Sequence, residues 1–576
     1  MPVAELVDGR IVLGSEYRER ERIKLLPGAR WDTHAQTWWC PLSWAACIQL
    51  RGIFGEDLQV GESLSTWAQN ERRTRIDPCL ALRTAEDGPL EYEDLGLRPF
   101  QRAGIQFLAT ARQALIADDM GLGKTVQTIL AFEVMGDDAF PLLVVCPNSM
   151  KFTWEDEYKK WAPHRRVVVV NGGKATRLKQ IASVRDGEND VAVINWESLR
   201  NHTRLASYPS VRLTDDEKIE KELNEIGLVS VAADECHKAK DPRAKQTRAL
   251  WYIGDKAQNR IALTGTPVAN SPEDIWSIMR FVAPNEWPAK SQMINRYALQ
   301  SWNMFGFMEI CGLKSETKDE LFKILDPRFI RRTKEAVLTQ LPAKTYTTRT
   351  VEMTPKQRKA YDEIRKVMIT ELEKGILVAT NPLAKMTRLL QFASAYGEIV
   401  EGNLVLTDPS CKVDALLEIV DELGDQRAVV FAESRQLIEL AYRRLIRARP
   451  HGPGLSVGMI TGNVDEHSRK EAVDAFNAGK HKVMLMTLGA GSEGLSFPGC
   501  STEVFLQRSF SAVKNKQAED RCHGIGRGVE GVSTTIIDVV AEGTLEERVR
   551  EVLLEKGEMM EEVVRDEETL MKWLAK

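Results

Sequence analysis

The chain has 576 residues, too many for a single hydrophobic core, and roughly 100–200 residues per domain predicts three or four. With 28% charged and 43% hydrophobic residues it is not a disordered chain, and no apolar run approaches the ~20 residues that span a bilayer. The net charge of −5 excludes a protein that is basic all over, but not one with a local basic track inside a cleft.

In chain order, residues 1–65 stand apart, with Arg18, Arg20, Arg22, Lys24 and Arg30 interleaved with Trp31, Trp38, Trp39 and Trp44. Residues 66–95 are polar and charged and read as a linker with one short helix. From residue 96, short apolar runs at 114–117, 142–145, 167–170, 191–194, 229–232 and 261–263 alternate with longer helical stretches. Such alternation indicates a parallel sheet covered on both faces, here over 96–271. The pattern pauses over 272–345, read as a helical insertion, and resumes over 346–545 with runs at 428–431, 483–486, 504–506 and 535–540. Residues 546–576 are rich in Glu, Lys and Arg, with apolar residues such as Val549, Val552 and Leu553 at helical spacing, which predicts one or two closing helices. The fold class is therefore α/β, with two parallel-sheet lobes, a helical insertion and a small N-terminal β-rich domain. The nine cysteines include no Cys-x-x-Cys pair and no zinc spacing, which points to reduced thiols. The N-terminal residues show no basic leader ahead of an apolar stretch, so no secretion signal is expected.

Chemistry enters after the run at 114–117, with Asp118-Asp-Met-Gly-Leu-Gly-Lys-Thr125 leading into a helix. A glycine-rich turn between strand and helix lets backbone N–H groups close around phosphate oxygens, and the helix N-terminus adds a favourable field. Gly121 and Gly123 supply the turn, Lys124 reaches the β- and γ-phosphates, and the Thr125 hydroxyl ligates magnesium. The strict pattern wants glycine where this chain has Asp118, so the loop alone is an imperfect match. A second half lies downstream, an apolar strand ending in Asp234 and Glu235. Asp234 at a strand's carboxyl end is placed to hold Mg2+, and Glu235 to orient or deprotonate the attacking water. Adjacent acids after a strand are also common as helix N-caps, but paired with Lys124 and Thr125 they read as an ATP site.

These residues are similar to those of the SWI/SNF-type DNA translocases of helicase superfamily two, from about Leu97 to the end of the second α/β lobe. Leu97-Arg-Pro-Phe-Gln101 resembles the segment in which a glutamine reads the adenine edge, and the loop from Asp118 resembles the family's own variant, aspartate included. Asp234-Glu-Cys-His237 resembles the Asp-Glu-x-His box. Leu263-Thr-Gly-Thr-Pro267 resembles the motif that couples ATP to DNA, which implies that role for Thr264 and Thr266. Phe329-Ile-Arg-Arg-Thr-Lys334 and Met353-Thr-Pro355 look like the junction into the second lobe. Thr487-Leu-Gly-Ala490, with Gly491 and Gly494, looks like a further coupling loop, and the segment around Arg521 and His523 like the arginine-finger motif. The resemblance implies two RecA-like lobes, ATP and Mg2+ as cofactors, and movement on double-stranded or forked DNA. It places Lys124, Thr125, Asp234 and Glu235 on one side of ATP and Arg521 on the other. One departure stands out. The family has a second arginine after the histidine where this chain has Gly524, and the motif's last glutamine is replaced by Arg527. Arg527 either supplies the missing guanidinium or is a solvated surface charge.

The N-terminal segment from Lys24 to Asp32, with Trp38, Trp39 and Pro41, resembles the small HARP module found before the motor in annealing helicases. Its indoles either stack on exposed bases, with arginines on phosphates, or form the core of a small domain. A domain this small needs large apolar residues, so two of the four indoles are expected inside. The module implies forked or junction DNA, and with it fork remodelling or strand annealing. The alternatives are a strand-separating helicase, or a DNA-structure-binding protein with a weak motor, which Gly524 favours. No membrane partner is expected. The location expected is the cytoplasm of a bacterium or of a phage host, or the nucleus if the source is eukaryotic.

Overall fold

The computed structural model describes the chain except residues 1, 15–16, 90–94, 266–271, 288, 303–307, 339–343, 374–381, 401–402, 448–455, 463, 465, 492–494, 524–531 and 557–576. It divides into two units, Met1–Val337 and Leu338–Lys576.

The first unit begins with a small sheet. β1 (Val3–Val7) and β2 (Arg10–Gly14) pair antiparallel across a tight turn at Asp8 and Gly9, both of which have positive φ. β3 (Arg30–Asp32), β4 (Thr37–Pro41) and β5 (Gln59–Val60) complete the order β3-β4-β2-β1-β5. The helix Trp44–Phe54, N-capped by the Ser43 hydroxyl, closes a core of Ala4, Ile11, Leu13, Cys40, Ala46, Leu50 and Phe54. The expectation of two buried indoles fails. Trp31 is 47% exposed, Trp38 is half-buried against the core, and Trp44 donates to the Lys323 carbonyl at 3.3 Å. The guanidiniums of Arg10 and Arg30 lie over the Trp39 ring, 4.3 and 5.7 Å from its centroid. Strand alternation explains its place: Cys40 points inward, so Trp39 beside it points outward, and aliphatic residues suffice to fill so thin a layer.

Residues expected as a linker form a helical run instead: Glu62–Glu71, a π-helical turn over Arg72–Ile76, and Asp77–Thr84. Pro78 accounts for the π turn. Its ring excludes an i−4 carbonyl and it has no N–H, so the Asp77 N–H reaches back to the Arg72 carbonyl. The run is packed, with Cys79 fully buried among Leu97, Ile105 and Phe107.

The large sheet of this unit contains β6 (Gln113–Ile116), β7 (Leu142–Cys146), β8 (Val167–Val169), β9 (Val191–Asn195), β10 (Ser230–Ala233) and β11 (Asn259–Leu263). Every pairing is parallel. β7, β9, β10 and β11 are buried at every position, which is why they read mainly as apolar runs, with Ser230, Asn259 and Arg260 as buried polar exceptions at strand starts. The segment predicted as a helical insertion is mixed. After the helices Pro272–Val282 and Lys290–Tyr297 comes a hairpin of β12 (Ala298–Trp302) and β13 (Met308–Leu313), then a helix over Ser315–Leu325. Finally β14 (Phe329–Ile330) joins the sheet edge beside β6, giving the order β14-β6-β11-β10-β7-β9-β8. The first lobe therefore recruits residues well past its predicted end at 271. A two-residue strand is too short to show any alternation in sequence.

The second unit has its own parallel sheet. Its elements are β15 (Thr345–Val351), a hairpin of β16 (Tyr396–Val400) and β17 (Asn403–Thr407), β18 (Ala428–Ala432), β19 (Val457–Ile460), β20 (Val483–Thr487), β21 (Thr502–Phe505) and β22 (Thr535–Ala541). The main sheet runs β15-β22-β21-β18-β20-β19, all parallel. A helix, Leu545–Lys556, follows β22, and the remainder of the predicted C-terminal helices lies outside the described residues. No described helix is long and apolar enough to cross a membrane.

The packed helical run makes a distinguishing prediction. Cys79→Asp places a carboxylate in a filled core and should cost on the order of 3 kcal/mol or more, read by thermal unfolding. A linker position would tolerate the change.

Candidate nucleotide-binding site

β6 delivers the chain to the glycine loop, and the helix Lys124–Met135 carries it away. Gly121 and Gly123 have φ of +85° and +78°, the left-handed region that favours glycine. Gly123 has a second reason to lack a side chain, because a Cβ there would run into Gln101 Nε2. That amide donates to the Leu122 carbonyl at 3.1 Å while its oxygen accepts from the Arg98 N–H at 2.9 Å. Gln101, expected at the adenine edge, thus holds the phosphate loop with one end and its own helix start with the other. Lys124 Nζ donates to the carbonyls of Asp118 at 2.8 Å and Asp119 at 3.4 Å. Thr125 sits half-buried in the first helical turn, where backbone N–H groups have no intrahelical acceptor.

Asp234 follows β10, with its N–H on the Val145 carbonyl at 2.7 Å. Two buried indoles clamp it. Trp154 Nε1 donates to Oδ2 and Trp196 Nε1 to the Asp234 carbonyl, each at 3.0 Å, while the Glu235 N–H donates to Oδ1 at 2.9 Å. Burial and the neighbouring Glu235 carboxylate push the Asp234 carboxyl up to about 6, opposed by the Trp154 hydrogen bond and the Lys124 charge. Glu235 has φ +49°, rare for a residue with a side chain, and its Oε2 lies 3.2 Å from His237 Nδ1. β11 lies between β6 and β10, and from its end the buried Thr264 donates its N–H to the Ile116 carbonyl at 3.0 Å. A Cβ on Gly265 would stand 3.3 Å from Lys124 Nζ. Lys124, Asp234 and the Thr264 loop therefore gather at the carboxyl end of one sheet, the usual place for a ligand in a parallel α/β fold. The donors at hand, a threonine hydroxyl and a buried carboxylate raised by desolvation, suit a hard divalent cation such as Mg2+.

Other predicted residues lie elsewhere. Arg521, in the second unit, is 1% exposed, with its guanidinium donating to the Leu495 carbonyl at 3.0 Å and its own carbonyl accepting from the Phe497 N–H. Gly491 ends the helical turn Leu488–Gly491. Thr266, Gly494, Gly524 and Arg527 lie outside the described residues. Sequence reasoning missed Trp154, Trp196 and Arg332. The last donates to both carboxylate oxygens of Asp118 and to Gln127 Oε1. Only the sequence position of Arg332, in the Phe329-to-Lys334 motif, could have singled it out.

The family model for the SNF2-related domain matches residues 100–399, and that for the helicase conserved C-terminal domain matches 411–526. An ATP-dependent helicase of Mycoplasma genitalium is 25% identical over 489 residues, 83% of this chain and 43% of its own length. The DNA annealing helicase and endonuclease ZRANB3 of Bos taurus is 26% identical over 457 residues, 78% of this chain and 39% of its own. The chain thus spans less than half of either relative. Among solved structures, the SWI2/SNF2 ATPase core of Sulfolobus solfataricus in complex with dsDNA aligns over 82% of this chain and 94% of that one, at 24% identity and TM-score 0.37.

Two glycines with positive φ, one in the loop and one at the far end of its helix, separate loop geometry from local strain. Gly136→Ala, at φ +83° and ψ −173° with open space around it, should cost about 1–3 kcal/mol of stability and leave nucleotide affinity unchanged. Gly123→Ala, which displaces Gln101, should in addition weaken binding of a fluorescent ATP analogue by about tenfold or more.

Proposed function

We propose, for a chain that belongs to the SNF2-related family of helicase-type ATPases, that ATP hydrolysis drives its movement on double-stranded or forked DNA. The observation that carries this reading is the meeting of Lys124, Thr125 and Asp234 at one end of the first parallel sheet.

Lys124 donates to the Asp118 and Asp119 carbonyls of the loop. The β- and γ-phosphates of ATP would offer its ammonium a charged partner, which binds it more strongly than a neutral carbonyl does. The first-turn N–H groups of the helix receive the phosphate oxygens. Thr125 and Asp234 would hold Mg2+, whose charge offsets that of the phosphates. Glu235, the neighbour of Asp234 and paired with His237, orients water for attack on the γ-phosphate and takes its proton. Turnover also draws on Arg521, the finger implied by the family's motif.

DNA enters through the family assignment and through the relatives, one of which is named as a DNA annealing helicase. In the N-terminal module, Arg10 and Arg30 gather over the Trp39 ring, an aromatic and cationic cluster suited to the phosphates and bases of a junction. Backbone contacts dominate in such motors, so binding is insensitive to sequence and weakens steeply with salt. A second reading rests on Gly524, which stands where the family has an arginine: a DNA-structure-binding protein with a weak motor.

ATP hydrolysis measured without DNA, with single strands, with duplex and with a fork tests the reading. Duplex or fork should stimulate turnover strongly, whereas no turnover on any substrate leaves the second reading. Lys124→Ala should abolish the stimulated rate, and a retained rate refutes the site. Arg521→Ala should lower it by ~10³-fold or more.

A further inference from the structure

The phosphate loop is held from one side by a segment to which no function has been given. Beyond β14 the chain runs alongside the loop's ascending limb. The Ala117 N–H donates to the Ile330 carbonyl at 2.8 Å and the Asp119 N–H to the Arg332 carbonyl at 2.9 Å. In return the Arg332 N–H donates to Asp118 Oδ1 at 3.0 Å and the Lys334 N–H to Asp119 Oδ2 at 3.3 Å. At the centre is a buried ion pair. Asp118 is fully buried and Arg332 is 8% exposed. The Arg332 fork grips both carboxylate oxygens, Nε to Oδ1 at 3.1 Å and Nη2 to Oδ2 at 2.6 Å. The same guanidinium donates to Gln127 Oε1 at 2.6 Å and to the Phe100 carbonyl, and lies over the Phe100 ring.

The pocket is built for this group. A Cβ on Gly104 would fall on Gln127 Oε1 and Arg332 Nη2, so glycine at that position makes room for both. Gln127 completes the circuit by donating to Asp118 Oδ2 at 3.3 Å and to the Leu122 carbonyl at 3.2 Å. Leu122 also receives Gln101. The loop is thus fixed at Asp118 and at Leu122, through Arg332, Gln127 and Gln101. The Asp118 carbonyl in turn receives Lys124.

We infer that Arg332 is the positioning residue of the phosphate loop: by gripping Asp118 it sets where the loop backbone and Lys124 stand before nucleotide arrives. It also explains aspartate in the position where the strict phosphate-loop pattern has glycine, since glycine offers the guanidinium no partner. Arg332 acts on nucleotide only through the loop, by way of Asp118. The inference rests on the ATP-site reading above.

The test uses the full chain and a fluorescent ATP analogue, without DNA, alongside melting temperature. Arg332→Lys keeps a cation against Asp118 but lacks the fork, and should bind the analogue several-fold more weakly. Arg332→Met combined with Asp118→Leu removes both charges at once, which spares the fold an unpaired buried carboxylate, and should bind about tenfold more weakly or worse. Wild-type affinity in Arg332→Lys, or in the double variant at a native melting temperature, overturns the inference, because a purely structural pair would move stability and leave affinity alone. Lys124→Ala in the same assay separates the two readings: if it too binds and hydrolyses as wild type, the ATP site itself is wrong.

Discussion

A parallel sheet covered on both faces has nowhere to put chemistry except at the ends of its strands. β7, β9, β10 and β11 are buried at every position, so a charge along them needs partners at once, as Arg260 on β11 finds in the carbonyls of Val282, Gly254 and Ala257. Where such a strand ends, the chain regains polar groups at once: Asp118 after β6, Asp234 after β10, Thr264 after β11. Parallel orientation aligns those ends, and the three loops meet because β11 lies between its two partners. The site is a consequence of how the strands are covered.

Placing acids at the edge of a dry core has a cost, and the chain meets it differently in each case. Asp118 has a guanidinium fork. The Asp234 carboxylate has one indole N–H, from Trp154, and one backbone N–H but no cation among the described residues in hydrogen-bond contact, so its carboxyl stays raised, at about 6. The two settings differ in what they leave available: a carboxylate neutralised by arginine is a structural tie, whereas one held only by neutral donors still lacks a charged partner. Glu286, deeper in the unit, follows the first pattern, paired with both arms of Arg328 at 2.9 Å.

The N-terminal module belongs to the first unit through specific contacts. Gln49 donates to the Tyr297 hydroxyl at 2.8 Å, Gln292 to the Lys24 carbonyl at 2.9 Å, and Trp44 to the Lys323 carbonyl. A Cβ on Gly52 would meet Glu320, which holds Arg296 in a bidentate pair. The region between the lobe's strands and β14 serves as the dock for this module, and the helical run over 62–84 braces them both. What reads in sequence as a separable domain, a linker and an insertion is one packed body.

The sequence by itself determined the central strands of both parallel sheets, because strands buried on both faces are mainly apolar and show as such, whereas the exposed, polar edge strand β15 does not. It also pointed to Lys124 and Thr125 after one strand and Asp234 and Glu235 after another, because each group follows directly on an apolar run that the backbone makes a strand. Tertiary structure alone decided what depends on distant partners. Cys79 gives no sign in a charged stretch that its helix is packed, and Trp39 none of whether it faces inward or out until the sheet is formed. β14 is too short to carry a period of its own and exists because β6 offers it an open edge. Asp118 and Arg332 lie 214 residues apart, and neither residue's neighbours in sequence hint at the other. Local patterns record what a residue's immediate neighbours require of it; a buried charge records its requirement only in the partner that folding brings to it.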